Sequence, residues 1–262
     1  MIDIFEQSSA TTADILSAFY DQDPAVVHRN TYRGKSLGSS FTAAQKAAIA
    51  DGSFDDLFVG DYWTLNSRVY RIADINYYLG LGDTPFEKNH LVIVPDASFG
   101  NNVMNSSNIT TNGYTNSKMY TDTTTPSVLN SAKSTIATDF GENFVASHRI
   151  LIPTTTSSGG VQTASDWFDS TVDLMNEVMV YGCWHNAIEN TGTNTNTDTI
   201  ETRQLALFAL NPRLIHNGRY TYWLRDVVSS TGFANVSNDG NANYHNASNS
   251  LGVRPAFCVV GS

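Results

Sequence analysis

The sequence predicts a mixed α+β fold of short antiparallel strands, two or three helices and long loops. Three observations carry that expectation. Runs rich in aromatic and β-branched residues are separated by tight turns, as where Phe58 to Leu65 is followed by Asn66-Ser67 and then Val69 to Ile75. A capping box, Thr42-Ala43-Ala44-Gln45, opens a helix that Asp51-Gly52 should close. Long stretches rich in Asn, Ser and Thr, from Ser98 to Thr125 and from Asn190 to Asp198, show little periodicity and read as exposed loops.

In chain order, Thr12 to Tyr20 carries Ile15, Leu16 and Phe19 at helical spacing before Asp23-Pro24 breaks the pattern. Residues 1–30 therefore form an N-terminal arm, either packed on the domain or used for docking and oligomerisation; residues 31–262 form the domain proper. After the capped helix and the hairpin, Leu91 to Pro95 is a continuous apolar run ended by proline, the pattern of a central strand. Met104, Tyr114, Met119 and Tyr120 could anchor the long excursion that follows. Pro126 at a first helical position starts a helix over Ser127 to Thr138, which ends near Gly141. A strand follows at Val145 to Ile152, then a loop from Thr154 to Gly160. Asp166 to Val180 has Val172, Leu174, Met175, Val178 and Met179 in a helix-compatible pattern, with Asp166 at the N-terminus and Gly182 as terminator. Glu201 to Leu210 fits a helix or a strand, and Val253 to Val260 reads as the closing strand. No internal repeat is evident.

Composition narrows the function. Of 262 residues, 41% are hydrophobic, including four Trp, twelve Tyr and thirteen Phe, ample for a sizeable core. A net charge of −10 leaves no electrostatic footprint for nucleic acid or an anionic membrane. Charged residues are only 15%, and such a polar, weakly charged, turn-rich chain suits β-rich extracellular or virion proteins better than metabolic enzymes. No run approaches the roughly 18 apolar residues of a membrane span. Met1 to Glu6 lacks a basic leader, so no signal peptide is expected. Cys183 and Cys258 lie far apart, and both are expected free and buried.

The search for chemistry finds no nucleophile elbow, phosphate loop, dinucleotide fingerprint or zincin helix. The histidines, His28, His90, His148, His185, His216 and His245, stand singly, without metal-ligand spacing. Asp239-x-Asn241-x-Asn243 begins like a calcium loop, but Tyr244 occupies the required glycine position and Ser250 that of the bidentate Glu. No catalytic residue, metal or cofactor is expected.

The tail is different. Between Tyr222-Trp223-Leu224-Arg225-Asp226 and Gly252-Val253-Arg254-Pro255-Ala256-Phe257, the run Asn235 to Asn249 holds six Asn in fifteen residues. Buried amides at that density would each need several partners, so the run reads as a displayed surface on a rigid base. Asn238-Asp239-Gly240 supplies the turn of a hairpin. Phe233, Asn235 and Ser237 alternate with Ala234 and Val236, and Asn241, Asn243 and His245 alternate with Ala242 and Tyr244; the polar set is thereby expected on one outward face. Trp223, Arg225 and Arg254 read as scaffold rather than as ligand contacts, with Arg225 buried and paired to a carboxylate.

These two motif blocks, with Gly60-Asp61-Tyr62-Trp63, Tyr70-Arg71-Ile72 and His90 to Pro95 upstream, resemble the C-type-lectin-like module of phage and prophage proteins. That module is shared with the variable proteins of diversity-generating retroelements, and is distantly similar to the formylglycine-generating sulfatase-modifying fold. The resemblance runs from about Arg33 to the C-terminus. It implies a C-type-lectin-like fold and a virion-associated, non-enzymatic display protein, made in the bacterial host cytoplasm, with a variable region at about 229–250. In those systems template Asn codons are randomised at their adenines; Asn235, Ser237, Asn238, Asp239, Asn241, Asn243, Tyr244, His245, Asn246 and Asn249 are all accessible products. Together with Phe233 they form the implied ligand-binding face. The implied partners are a host cell-surface protein or glycan, other virion proteins and further copies of the same chain, with neither nucleic acid nor membrane insertion. A structural head or tail decoration protein without its own ligand is the alternative. The sulfatase-modifying activity needs an active cysteine pair, and Cys183 and Cys258 do not sit in that arrangement.

Overall fold

Asp23-Pro24, the break after the arm, also opens a new helix, α1 (Pro24–Arg29), where Asp23 caps the amide of Ala25 at 2.9 Å and proline takes the first turn. The computed structural model describes residues 23–110, 113–122, 126–156, 162–186, 203–216 and 218–262. The expected Thr12 to Tyr20 helix and Asn190 to Asp198 loop lie outside those residues, as do residues 157–160 of the expected Thr154 to Gly160 loop, whose first three residues are strand instead.

Helix α2 (Ala43–Ala50) has its capping box in place: Gln45 N donates to Thr42 Oγ1 at 3.3 Å, and Thr42 N to Gln45 Oε1 at 2.9 Å. Strands β1 (Tyr62–Leu65) and β2 (Arg68–Ile75) are joined through Asn66 and Ser67, both at positive φ, as a primed hairpin turn requires. Strand β3 (His90–Pro95) is buried throughout, and β4 (Asn101–Asn102) begins the long excursion. Within that excursion Met104, Tyr114 and Met119 are buried, and a short helix, α3 (Lys118–Thr121), forms. Helix α4 (Val128–Phe140) starts one residue later than the expected Ser127, because Ser127 Oγ caps Asn130 N at 3.2 Å and leaves Pro126 before the cap.

The helix expected over Asp166 to Val180 does not form. The chain makes β5 (Val145–Ala146), β6 (His148–Thr156), β7 (Gln162–Ser170), β8 (Val172–Leu174) and only then a short helix, α5 (Glu177–Tyr181), which Gly182 ends in the left-handed conformation. Asp166 lies in a strand opposite Ile152, not at a helix start. The apolar spacing from Val172 to Met179 arises from a buried strand followed by a helical turn, and pairing of β7 with β6 and of β8 with the chain's last strand overrides local periodicity.

Helix α6 (Ala206–Leu210) precedes the terminal strands β9 (Tyr222–Val227), β10 (Gly232–Val236), β11 (Ala242–Asn246), β12 (Leu251–Gly252) and β13 (Pro255–Val260). The fold is thus α+β with mostly antiparallel pairing. One sheet runs β1-β2-β3-β13-β5, with β8 also on β13; a second runs β11-β10-β9-β12-β4; β6 and β7 form a ribbon. Phe41, Trp63, Tyr70, Phe140 and Phe257 meet edge-on in the core, with Phe140 5.2 Å from Tyr70 and 5.3 Å from Phe257. Each such pair contributes about 0.5–1.5 kcal/mol beyond its buried area. Inside the first sheet, a bulge in β2 between Ile72 and Asp74 accompanies a buried Asp74 carboxylate that accepts Arg203 Nη1 at 2.5 Å, Arg203 Nη2 at 2.8 Å and Ala206 N at 2.9 Å. Of the cysteines, Cys258 is free and buried in β13, but Cys183 is exposed, against expectation, because it sits just past the end of α5.

Candidate ligand-binding face

The base of the tail is built first. All six residues of β9 are buried. Trp223 Nε1 donates to the Asn102 carbonyl at 2.9 Å, tying β9 to β4, and Tyr222 hydroxyl donates to Ile215 O at 2.9 Å. Arg225 Nη1 donates to Leu174 O at 3.0 Å, and Asp226 Oδ2 accepts the Glu177 amide at 2.6 Å, so this motif fixes the entry to α5. Arg254, 1% exposed, donates from Nε to Pro95 O at 2.8 Å and from Nη1 to Leu214 O and Ile215 O, both at 3.1 Å. Its guanidinium also lies over the Tyr222 ring, 5.2 Å from the centroid. Trp223, Arg225 and Arg254 therefore stand beneath the surface, each with a partner.

On this base β10 and β11 pair as a hairpin, with Phe233 opposite His245 and Asn235 opposite Asn243. Ser237 N closes the turn on Asn241 O at 2.9 Å, and Gly240 takes φ +90. Asp239 braces it, accepting from the Ser237 hydroxyl and, at 2.8 Å, from Asn241 Nδ2. The Ser237 contact, then the Asn241 amide, hold the Asp239 carboxyl below the usual range. From below, Tyr181 hydroxyl donates to Gly240 O at 3.0 Å. Burial raises the Tyr181 phenol's pKa, which keeps it a neutral donor.

The single outward polar face does not exist as expected. Phe233 and Asn235 are both fully buried, because β10 is an inner strand between β9 and β11 and is covered on both faces. Phe233 packs edge-on against Trp223 at 6.5 Å. Asn235 Nδ2 lies 2.8 Å from His245 Nδ1, while its buried Oδ1 has no hydrogen-bond partner. Alternation reports which residues share a face, but not whether that face is covered. Exposure belongs instead to the edge strand. Asn243 stands on one side of β11, and Tyr244 (51% exposed) and Asn246 on the other. Asn238, Asp239, Asn241 and Asn249 are exposed in the flanking turns, and Ser237 and His245 are half-buried.

A neighbouring loop enlarges the patch. Met104 N and Asn105 N donate to Ala247 O, at 2.9 and 3.0 Å, and Asn108 Oδ1 accepts the Ser248 hydroxyl at 2.7 Å. This seats Ser106, Ser107, Asn108 and Ile109, all exposed, beside the end of β11. The sequence marked this stretch as a surface excursion, but nothing local placed it against the hairpin. The combined surface offers amides, hydroxyls, the Asp239 carboxylate, the Tyr244 ring and the half-buried His245 imidazole, a set suited to many weak contacts. Among the described residues no three His, Cys, Asp or Glu side chains gather as a metal site. No described helix is long and apolar enough to cross a membrane.

The family described as a domain of unknown function, DUF6273, matches residues 89–261. The chain belongs to the DUF6273 family. Neither a curated protein nor a solved structure matches it. The DUF6273 segment starts one residue before β3 and contains the whole hairpin with its base, whereas the β1–β2 hairpin, which completes the same sheet, precedes it.

Proposed function

We propose that this DUF6273 protein is a C-type-lectin-like display protein of the diversity-generating type. It is carried on a phage or prophage particle as a homo-oligomer and binds a host-surface protein or glycan. The binding surface is β11 with its two flanking turns, not β10. The observation that carries this reading is the contrast between adjacent strands: every residue of β10 is buried, while Asn243, Tyr244 and Asn246 of β11 are exposed at the sheet edge. Substitutions at such exposed positions usually change stability by no more than about 0.5 kcal/mol, so the face can vary while the base is held. Individually weak contacts gain strength when many copies engage one surface.

The test is a combined variant, Asn241→Ser, Asn243→Asp, Tyr244→Ser and Asn246→Asp, carried on the particle. Host adsorption should change, with the melting temperature nearly that of the parent. Unchanged adsorption would return the protein to the role of a structural head or tail decoration. Loss of folding would show that the face is not free to vary.

A further inference from the structure

Just past the end of α5, a nucleophile and a base meet on the surface. Cys183 Sγ lies 3.5 Å from His185 Nε2, and both side chains are exposed. Two residues of separation do not by themselves bring the pair together; Glu177 does. Its buried carboxylate accepts the backbone amide of His185 at 3.1 Å, that of Asn186 at 3.0 Å and Asn186 Nδ2 at 3.0 Å. A buried carboxylate is costly unless its oxygens are occupied, and here the donors come from the exposed loop that carries the thiol. Glu177 is itself fixed through its amide to Asp226 of β9. The Tyr181 ring stands edge-on to the His185 imidazole at 5.0 Å.

We propose that Cys183 and His185 form a reactive thiol–imidazole pair, a site of thiol–disulfide exchange with low-molecular-weight disulfides. The thiolate is the attacking form of cysteine, and an imidazole nitrogen in contact with Sγ can take its proton. In the step itself, His185 Nε2 accepts the Sγ proton and Sγ attacks one sulfur of the disulfide. A new Sγ–S bond forms as the old S–S bond breaks, and the departing thiolate takes the proton from the imidazolium. Cys183 is oxidised to a mixed disulfide, and half of the reagent is reduced to a thiol. The charged group that contacts the loop bearing the pair is Glu177 of α5; Asp226 of β9 stands behind it on the Glu177 amide, and Asp239 lies in the hairpin turn.

The full chain is treated with glutathione disulfide and, separately, with an aromatic disulfide whose released thiolate is coloured. Adducts are located by mass spectrometry. One rapid adduct is expected, on Cys183, and none in Cys183→Ser; Cys258, buried in β13, should react only in denaturant. Native Cys183 should react faster than the same cysteine in the denatured chain. His185→Gln should slow it about tenfold, below the usual range of general-base effects because the pair is open to water. The wild-type rate should also fall less steeply below neutral pH than that of His185→Gln, a difference that a merely structural role would not produce. A native rate no higher than the denatured one, or a rate and pH profile unchanged in a folded His185→Gln protein, would overturn the proposal.

Discussion

Acidification should weaken this protein through two buried histidines, and the size of the effect follows from their surroundings. His90 has both ring nitrogens committed: Nε2 accepts the Tyr78 amide at 3.0 Å and Nδ1 faces Lys88 O at 2.9 Å. One acceptor and one donor is the neutral tautomer; a second proton would point at the Tyr78 N–H. His148 lies 4.1 Å from the Tyr78 ring, with its Nδ1 buried and without a partner. Burial accordingly depresses both, His90 to about 4 and His148 to about 3, the latter also through the proximity of His90. An unfolded histidine titrates near about 6.5. Below that value the unfolded chain binds protons that the folded one refuses, so the contribution is intact above it and lost as pH falls toward the folded values. At about 1.4 kcal/mol per pH unit, each histidine costs about 2 kcal/mol on going from about pH 7 to about pH 5. Together they remove about 4 kcal/mol, a large share of the 5–15 kcal/mol typical of a domain. His148→Leu removes one titration, so its own loss over the same interval should be about 2 kcal/mol, whatever its starting stability. Urea unfolding at several pH values measures both. Equal losses in parent and variant would refute the reasoning.

Two further outcomes test the architecture. Phe233→Ala should cost about 3–5 kcal/mol by emptying a buried site against Trp223, whereas Tyr244→Ala, at a half-exposed position one strand away, should cost about 0.5 kcal/mol; similar losses in denaturant unfolding would contradict the assignment of β10 to the core and β11 to the surface. Asp74→Asn should destabilise by about 3 kcal/mol, because an amide in place of the carboxylate turns a donor toward Arg203 or the Ala206 amide; a melting temperature within a degree or so of the parent would contradict that assignment.

Features set by near neighbours were legible in the sequence. The Thr42–Gln45 box, the Asn66-Ser67 turn and the Asp239-Gly240 turn each depend on residues within a few positions, and each forms where the residue types require. Strand β3 announced itself because it is covered on both sides and needs no alternation. Features set by distant partners were not legible. Asp166 to Val180 carries a helix-compatible pattern, yet β6 and β13 claim most of it as strand. Asn235 looks like a surface residue, and only the coverage of both faces of β10 buries it. Arg203 pairs with Asp74 across 129 positions, and Asn108 reaches Ser248 across 140, separations at which no local pattern speaks.

The position of β13 has a consequence for how errors in the gene are tolerated. It lies between β3 and β5 and also carries β8, so the main sheet cannot close before residues 255–260 have been translated in frame. A nonsense codon or frameshift in the hairpin just upstream deletes this strand and leaves the edges of β3, β5 and β8 unpaired. Such chains lack the strand that joins β3 to β5 and β8. A substitution in the exposed strand passes unnoticed by the same criterion. The fold thereby proofreads the hairpin's reading frame while remaining indifferent to its spelling.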